Sequence, residues 1–267
     1  FEGRVLSVKE GDSLSLGTHI LQFIAAPMVH WPEVIMSYEQ TEKVLFAADG
    51  FGKFGALCNE TDDWACEARR YYFNICGKYG AQVQALLKKA AGLDIQIIAP
   101  LHGPVLKENL GYYLGLYDIW SSYRVEDEGV VIAYASIYGN TKKAALLLAE
   151  KLEAKGVTVS VHDLARTDIH EAVEDAFRYS KLVLAASTYN GDIFPFMKTY
   201  IHHLTERGYQ NRTVALMENG SWAPVANKVM AKMLEGSKNL TFTQNNVKIL
   251  SALSDDSRAQ IDALAEE

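Results

Sequence analysis

The sequence has little of several features that mark particular classes of protein. Its 267 residues include only three cysteines, Cys58, Cys66 and Cys76, which cannot all pair and lack zinc-finger spacing. Lysine and arginine number 26 against 33 acidic residues, for a net charge of −7. No apolar run reaches the length of about 18 residues that a membrane-spanning helix needs. We therefore expect reduced thiols, a cytoplasmic location and no membrane partner. We also expect no nucleic-acid partner, because binding to the phosphate backbone of a nucleic acid requires a basic face.

The first half of the chain is typical of an α+β domain. Short apolar runs separated by glycine, aspartate and proline predict strands, and two longer segments predict helices. A layered domain follows from strands that precede helices, and we place its end at residue 126. The predicted strands cover residues 5–8, 14–16, 20–24, 34–38, 44–48 and 95–99, and the predicted helices cover 64–90, with a break near Gly77 and Gly80, and 109–123.

The second half, residues 127–267, alternates strands with helices. Five apolar segments read as strands, at residues 130–135, 157–161, 182–186, 213–217 and 247–250. A helical segment follows each of the first four, and a fifth lies near residues 255–267. This alternation predicts right-handed βαβ units and a doubly wound, five-stranded parallel sheet with helices on both faces.

The turn after the first strand of this half suits a phosphate group. A tight turn that enters a helix offers free N–H groups and the positive end of the helix dipole, and hydroxyl side chains add further donors. The ending of a Walker loop and the GxGxxG of dinucleotide folds are both missing, and alone the segment is equally compatible with an ordinary strand-to-helix turn. Its residues are Ser136, Ile137, Tyr138, Gly139, Asn140 and Thr141.

Two further loops follow the third and fourth strands of the predicted sheet. Because the carboxyl ends of parallel strands meet at one edge, all three loops are expected to lie together. The two loops carry short polar donors, and each has an aromatic side chain that could cover a planar ring. Together they indicate a phosphorylated planar cofactor. Their residues are Ser187, Thr188, Tyr189, Asn190 and Gly191 in one loop, and Asn219, Gly220, Ser221 and Trp222 in the other.

Three residues of the first half are candidate metal ligands. His30, Asp49 and His102 each follow a predicted strand and precede glycine or proline within a few residues, a position where rigid strands present side chains. Imidazole and carboxylate together suit iron, zinc or manganese, and an aspartate can bridge two metals. A single histidine after a strand is more often a structural hydrogen-bonding group. The three residues together are therefore stronger evidence for a metal site than any one of them.

The motifs resemble those of a known family. Residues 130–267 are similar to a flavodoxin domain, and Ser-Ile-Tyr-Gly-Asn-Thr resembles its FMN phosphate loop. His-Trp-Pro, Asp-Gly-Phe-Gly and His-Gly-Pro, followed by this domain, resemble the flavodiiron proteins, which join a metallo-β-lactamase-like domain to flavodoxin. The resemblance implies that residues 136–141 hold the phosphate, that the other two loops flank the flavin ring, and that His30, Asp49 and His102 are iron ligands, with Asp49 bridging.

The resemblance also implies an activity and partners. Proteins of the family pass electrons from FMN to a non-haem di-iron site that reduces O₂ to water or NO to N₂O. The electron donor would be a rubredoxin-like protein or a flavin reductase, and a head-to-tail homodimer would bring the FMN of one subunit near the irons of the other.

The sequence departs from the family pattern at one point. The family has a His-x-Glu-x-Asp-His cluster upstream of the first ligand, but none of the seven histidines here has an acidic residue two positions later. The chain also begins with Phe1. We therefore expect that an N-terminal part of the lactamase-like domain was removed or lies on a separate chain, and that three ligands alone cannot fill two iron sites.

Two alternatives remain open. The chain could be an FMN-binding electron carrier whose first half holds no metal, as the missing cluster suggests. It could also be a zinc hydrolase of the lactamase-like superfamily, although a hydrolase would need the same missing histidines and has no reason to carry a flavin domain.

Overall fold

The structure is a computed structural model that describes residues 2–58 and 63–267. The chain divides into two compact units, residues 1–122 and 123–267. The domain boundary that the sequence suggests, after residue 126, lies a few residues beyond this division. Within the described residues, none of the helices is long and apolar enough to cross a membrane.

The first unit contains a five-stranded sheet and three α-helices. Strands β1 to β4 form an antiparallel meander, and β5 joins its end parallel to β4. A short 3₁₀ turn, Gly77–Tyr79, separates α1 from α2 and confirms the predicted break. The elements are β1 (Ser13–Ser15), β2 (Ile20–Ala25), β3 (Ile35–Glu39), β4 (Val44–Phe46), α1 (Trp64–Ile75), α2 (Gly80–Ala90), β5 (Ile97–Ala99) and α3 (Leu110–Ser121).

The strand predicted at residues 5–8 is wrong. Its backbone has no strand conformation, and Val5 and Leu6 are exposed to solvent. An apolar run becomes a strand when a neighbouring strand pairs with it and one of its faces is buried, and this segment has neither burial nor a ladder partner. The remaining predicted strands of this unit are present: two are shifted by one residue, one is a residue longer and two are shorter.

The two faces of this sheet are unequally covered. Because successive side chains alternate between faces, Met36 and Leu45 point into the buried core while Ile35 and Phe46 point the opposite way. Ile35 is 37% exposed and Phe46 is 49% exposed. The sheet therefore presents a partly uncovered apolar face.

An aromatic cluster fills the core beside this sheet. Tyr72 and Phe73 of α1 lie against Tyr117 and Trp120 of α3, with ring centroids 5.1–6.4 Å apart. All four side chains are buried. Packed aromatic rings contribute both buried area and edge-to-face attraction, so this cluster fixes α1 and α3 against each other.

The second unit confirms the doubly wound parallel sheet. Its strand order is β7-β6-β8-β10, and β11 and β12 pair with the start and the end of β10, so they share the fifth position. The elements are β6 (Asp127–Ala135), α4 (Asn140–Glu153), β7 (Val159–Asp163), α5 (Ile169–Arg178), β8 (Tyr179–Tyr189), β9 (Asp192–Ile193), α6 (Pro195–Glu206), β10 (Thr213–Asn219), α7 (Ala226–Met233), β11 (Thr241–Phe242), β12 (Val247–Ile249) and α8 (Asp255–Glu266).

Helices cover both faces of this sheet. On one face α4 and α8 pack on a continuous apolar cluster that includes Ile132, Leu148 and Ile261. On the other face α5 and α6 are buried through residues such as Phe177 and Ile201. Burial on both faces explains why the central strands read as continuous apolar runs rather than as an alternating pattern.

Arg212 anchors the first residues of the second unit. Its buried guanidinium donates to the backbone carbonyls of Tyr123 at 2.9 Å, Arg124 at 3.0 Å and Tyr179 at 2.8 Å, and also to that of Phe177. A planar guanidinium can satisfy several carbonyls at once, which an ammonium group cannot do in the same geometry. The Arg212 side chain therefore connects residues 123–124 to the end of α5 and to the start of β8.

Replacing Arg212 is expected to destabilise the protein. The Arg212→Met variant removes the guanidinium donors to the carbonyls of Tyr123, Arg124 and Tyr179, so the free energy of unfolding should fall by about 2–4 kcal/mol. Urea unfolding followed by circular dichroism measures this change. Arg258→Met, at an exposed position of α8, is the matched control and should change stability by less than about 0.5 kcal/mol. Equal unfolding midpoints for the two variants would contradict the anchoring role.

Candidate functional site

A cleft opens at the carboxyl edge of the sheet in the second unit. Its volume is about 400 Å³, within the range of small-molecule sites. The three loops that the sequence singles out come together in it, after β6, β8 and β10. The lining residues are Ser136, Ile137, Tyr138, Asn140, Thr141, Ser187, Thr188, Tyr189, Asn190, Gly191, Asn219, Gly220, Ser221, Trp222, Ala223 and Ser251. Gly139 lies in the first loop and does not contribute to the lining.

The loop after β6 presents backbone N–H groups at the start of α4. The first intrahelical bond of α4 runs from Lys143 N to Gly139 O, so the N–H groups of residues 140–142 have no acceptor within the helix. Gly139 has a φ of +86°, and a Cβ placed on it would meet no atom within 4 Å. The space above the loop is therefore open, and the helix dipole favours an anion there.

Two hydroxyl groups of this loop also make bonds within the protein. Ser136 Oγ accepts a hydrogen bond from Gly139 N at 3.1 Å, which holds the turn closed. Thr141 is only 1% exposed, and its Oγ1 lies 2.9 Å from Ser187 Oγ at the end of β8. Each hydroxyl is both donor and acceptor, so Ser136 can still donate its own hydrogen, and so can Thr141 when Ser187 is the donor between them. The donor set fits a phosphate group.

The second loop is a two-residue β-hairpin. Thr188 pairs with Ile193 and Tyr189 with Asp192, while Asn190 and Gly191 between them have φ values of +51° and +71°. Two positive φ values and an Asn-Gly sequence are typical of a type I′ turn. The segment was expected to be a loop, although its Asn-Gly pair is typical of a hairpin. The hairpin fixes the direction of Tyr189 at the rim of the cleft.

Aromatic side chains stand at the rim of the cleft. Tyr138 is 91% exposed and Trp222 is 90% exposed, and Tyr189 is half exposed. Large aromatic side chains with so little protein contact are available to cover a planar ligand. The cleft therefore combines anion donors at one end with flat apolar surfaces along its length.

Asn219 differs in its contacts from what was expected. It was predicted to bind the cofactor, and it lines the cleft, but both ends of its amide are engaged with the backbone of Ser251 at 3.1 Å. Ser251 and Ala223 were not among the predicted residues. Ser251 follows β12, and the rule that parallel strands present their carboxyl ends at one edge would have found it.

The three candidate metal ligands of the first unit meet at one carboxylate. His30 Nε2 lies 3.1 Å from Asp49 Oδ2, and His102 Nε2 lies 3.1 Å from Asp49 Oδ1. Each carboxylate oxygen therefore has one imidazole beside it. An aspartate with this environment has the geometry to bridge two metal positions, one for each histidine.

The backbone around Asp49 is unusual. Ala48 and Phe51 have φ values of +49° and +64°, in the left-handed region that residues with a Cβ seldom adopt. A Cβ on Gly52 would lie 3.1 Å from Asp49 O and 3.3 Å from His102 O. The loops that carry these two residues are thus packed closely against each other at Gly52.

The Tyr71 side chain lies beside this cluster. Burial, with the negative charge of the neighbouring Asp49, raises the pKa of its phenol well above the ordinary range. Its ring centroid is 5.8 Å from that of His102. Tyr71 is therefore a neutral hydrogen-bonding neighbour of the carboxylate at any ordinary pH.

These three residues alone would not complete a metal centre. Across residues 2–58 and 63–267, no group of three or more histidine, cysteine, aspartate or glutamate side chains gathers around one metal position. Zinc takes four ligands and octahedral metals six, whereas each side of Asp49 offers one imidazole and one oxygen. The chemistry of the donors fits a two-metal centre, but their number does not fill it.

Comparisons with known proteins identify both units. Residues 131–247 match the flavodoxin domain family, and residues 2–103 match the ODP family of β-lactamases. The fold and the two clusters of residues therefore define a protein that joins a lactamase-like domain to a flavodoxin domain.

Curated relatives of this chain are named as flavoproteins or as flavorubredoxins. The chain is 27% identical to the anaerobic nitric oxide reductase flavorubredoxin of Aeromonas hydrophila, over 88% of the chain and 50% of that protein. It is 36% identical to the putative diflavin flavoprotein A 2 of Synechocystis, over 64% of the chain and 30% of that protein. The chain spans between 30% and 60% of the length of these curated relatives.

Solved structures share the fold. Rubredoxin oxygen:oxidoreductase from Desulfovibrio gigas matches with a TM-score of 0.89 at 24% identity, over 98% of this chain and 67% of the other. The flavodiiron protein from Giardia intestinalis matches with a TM-score of 0.88 at 22% identity, over 98% and 66%. The chain therefore shares the two-domain fold of these proteins and is similar to the flavodiiron proteins, as the sequence motifs indicated.

The close approach at Gly52 gives a stability prediction. In Gly52→Ala the new methyl group would press on the carbonyl oxygens of Asp49 and His102, so we expect a loss of about 1–3 kcal/mol in the free energy of unfolding. Gly92→Ala is the control, since its Cβ would meet only Lys89 O at 4.0 Å. Thermal unfolding of both variants measures the difference, and equal melting temperatures would show that the two loops are not in contact through Gly52.

Proposed function

We propose that this chain is the FMN-binding and partial metal-binding portion of a flavodiiron oxidoreductase that reduces O₂ or NO. The observation that carries the proposal is the meeting of His30, Asp49 and His102 at one carboxylate, in a chain that also has a flavodoxin domain. A carboxylate flanked by two imidazoles on separate oxygens suits two metals that share a bridge.

The names of relatives support both gases as substrates. The Aeromonas protein is named as a nitric oxide reductase, and so is a Moorella thermoacetica protein that is 28% identical over 86% of this chain. The Desulfovibrio protein is named as a rubredoxin:oxygen oxidoreductase. We extend to this chain a rubredoxin-like or flavin-reductase electron donor and a head-to-tail homodimer.

The cleft residues are assigned to the two ends of FMN. The N–H groups of residues 140–142 and the hydroxyls of Ser136 and Thr141 would hold the phosphate, since they form a donor set without a competing acidic side chain. The hairpin at Asn190 and the loop before Ala223 would enclose the ring, with Tyr189 and Trp222 as the aromatic surfaces. When bound, FMN supplies the conversion between two-electron and one-electron transfer.

The metal residues are assigned to one edge of a di-iron centre. Asp49 would bridge, with His30 and His102 as the terminal ligands on either side. The further ligands must come from outside the part of the chain that the structure describes, either from this polypeptide or from another. The uncovered sheet face at Ile35 and Phe46 is compatible with an additional element that packs beside the centre.

An FMN-binding electron carrier is the second candidate. The shortage of ligands favours it, because no complete metal site exists within the described residues. The preserved geometry at Asp49 argues against it, since a unit that had lost its metal would have no need to keep both imidazoles against one carboxylate.

Thr141 provides a test of the phosphate assignment. In Thr141→Val the buried hydroxyl is lost, so the affinity for FMN should fall about tenfold or more, the loss expected for a hydrogen bond to a charged group. The affinity for riboflavin, which has no phosphate, should change little. Quenching of flavin fluorescence during titration measures both dissociation constants.

Thr205→Val in α6 is the matched control, because Thr205 Oγ1 bonds only to His202 O, away from the cleft. Equal losses of affinity for FMN and riboflavin in Thr141→Val would rule out a phosphate contact at this hydroxyl.

The activity is tested on the gene product as it occurs in its cell. The reduced protein should consume O₂ or NO under anaerobic mixing, and it should contain iron and FMN. Asp49→Asn should lose iron and gas consumption while it keeps FMN, and Asp94→Asn, at an exposed site of the same unit, should keep all three. A product with FMN but no iron and no gas consumption would establish the electron carrier instead.

A further inference from the structure

Beside the proposed flavin cleft, the residue after β12 forms a tight turn in an unfavourable backbone conformation. Ser251 has a φ of +69°, and Ala252 N donates to Leu250 O at 3.0 Å across it. A three-residue turn with positive φ at a residue other than glycine is rare and strained. Such a conformation persists only where neighbouring groups hold it.

Asn219 supplies the groups that hold this turn. Its Oδ1 accepts from Ser251 N and its Nδ2 donates to Ser251 O, both at 3.1 Å. Asn219 is 7% exposed, and Gly220 N donates to Ile249 O beside it at 3.0 Å. The Asn219 side chain thus continues the hydrogen bonding between β10 and β12 by one residue. It also fixes the orientation of the backbone N–H and C=O groups of Ser251.

The consequence is a pair of hydroxyl groups at the cleft. Ser251 Oγ donates to Ser221 Oγ at 3.0 Å, and both residues line the cleft. The hydroxyl that donates keeps free lone pairs, and the one that accepts keeps its own hydrogen. Whichever of the two is the donor, the pair presents one hydrogen-bond donor and one acceptor side by side.

We propose that Ser221 and Ser251 recognise the pyrimidine edge of the flavin ring, and that Asn219 is the positioning residue that aligns them. This edge alternates carbonyl oxygens with an N–H group, which a neighbouring donor and acceptor match. The inference rests on the proposed FMN site and adds to it a fourth loop, after β12, that determines specificity for the ring.

The place of the pair in the sheet agrees with this assignment. The phosphate loop follows β6, and the strands then run β8, β10 and β12 away from it. At about 4.8 Å between neighbouring strands, the serine pair lies roughly 14 Å across the sheet from the phosphate loop. A span of this length can separate the phosphate of FMN from either end of its ring system, and the polar pyrimidine edge is the end that hydrogen-bonding hydroxyls suit.

The Ser251→Gly variant removes the hydroxyl group but keeps the turn, so it tests the two features separately. Glycine adopts positive φ without strain, so the variant should be more stable to unfolding than the wild type. It should nevertheless bind FMN about tenfold more weakly, because it lacks the hydroxyl. Asn239→Gly is the matched control: Asn239 also has a positive φ, +52°, at an exposed site away from the cleft, and its affinity for FMN should not change.

A methylated flavin provides a measure of specificity. FMN methylated on the pyrimidine N–H should bind the wild type about tenfold more weakly than FMN does. That ratio should fall towards one in Ser251→Gly and in Asn219→Ala, and the double variant should resemble either single variant. A merely structural role would weaken the binding of both flavins equally and leave the ratio unchanged.

Wild-type discrimination against the methylated flavin, lost in both variants, supports the proposal. Unchanged FMN affinity in Ser251→Gly, or a ratio that all variants share, overturns it while the FMN site itself stands. If the wild type binds neither flavin, the proposed function fails before this inference is reached.

Discussion

The register of the parallel strands in the second unit determines where its cleft lies. Ala135 of β6 pairs with Ala186 of β8, and Ser187 pairs with Asn219 of β10, so the three loops leave the sheet at the same level. Side chains alternate with a period of two, so a slip of one residue in any pair would move each side chain to the opposite face of the sheet, against a different set of helix residues. The apolar core beneath therefore fixes the register, and the register brings a helix N-terminus, a hairpin and an aromatic loop to one edge.

Strand pairing also sets the positions of the loops that carry the candidate metal ligands in the first unit. Phe46 of β4 pairs with Ala99 of β5 in parallel, so the loops that carry Asp49 and His102 start side by side. His30 reaches the same carboxylate from the loop after β2, at the distance of a direct contact. In both units, chemical groups stand on loops while paired strands set their positions, which explains how one chain holds two unrelated sites.

Much of this arrangement could be read from the sequence because it depends on periodicity. The five strands and five helices of the second unit, and the loops at their carboxyl ends, follow from alternating apolar segments. The segment at residues 5–8 was misleading, since apolar character alone does not provide a neighbouring strand. Two sets of hydrogen bonds could not be predicted: the one between Thr141 and Ser187, and those between the Asn219 side chain and the Ser251 backbone. They join groups that are distant in sequence and whose orientation is determined only in the folded chain.

Backbone strain links the core of the first unit to its candidate metal ligands. Phe51, with its positive φ, is buried, its N–H donates to Tyr117 Oη at 2.7 Å, and the two rings lie 4.3 Å apart. A left-handed conformation at a residue with a Cβ is unfavourable by about 1–3 kcal/mol, and the bond to Tyr117 together with the ring packing offsets it. Tyr117 itself belongs to the aromatic cluster of α1 and α3. The position of Asp49 between its two histidines therefore depends on helices that carry none of the candidate ligands. Packing in the aromatic cluster thus helps to determine whether this carboxylate has the geometry to bridge two metals.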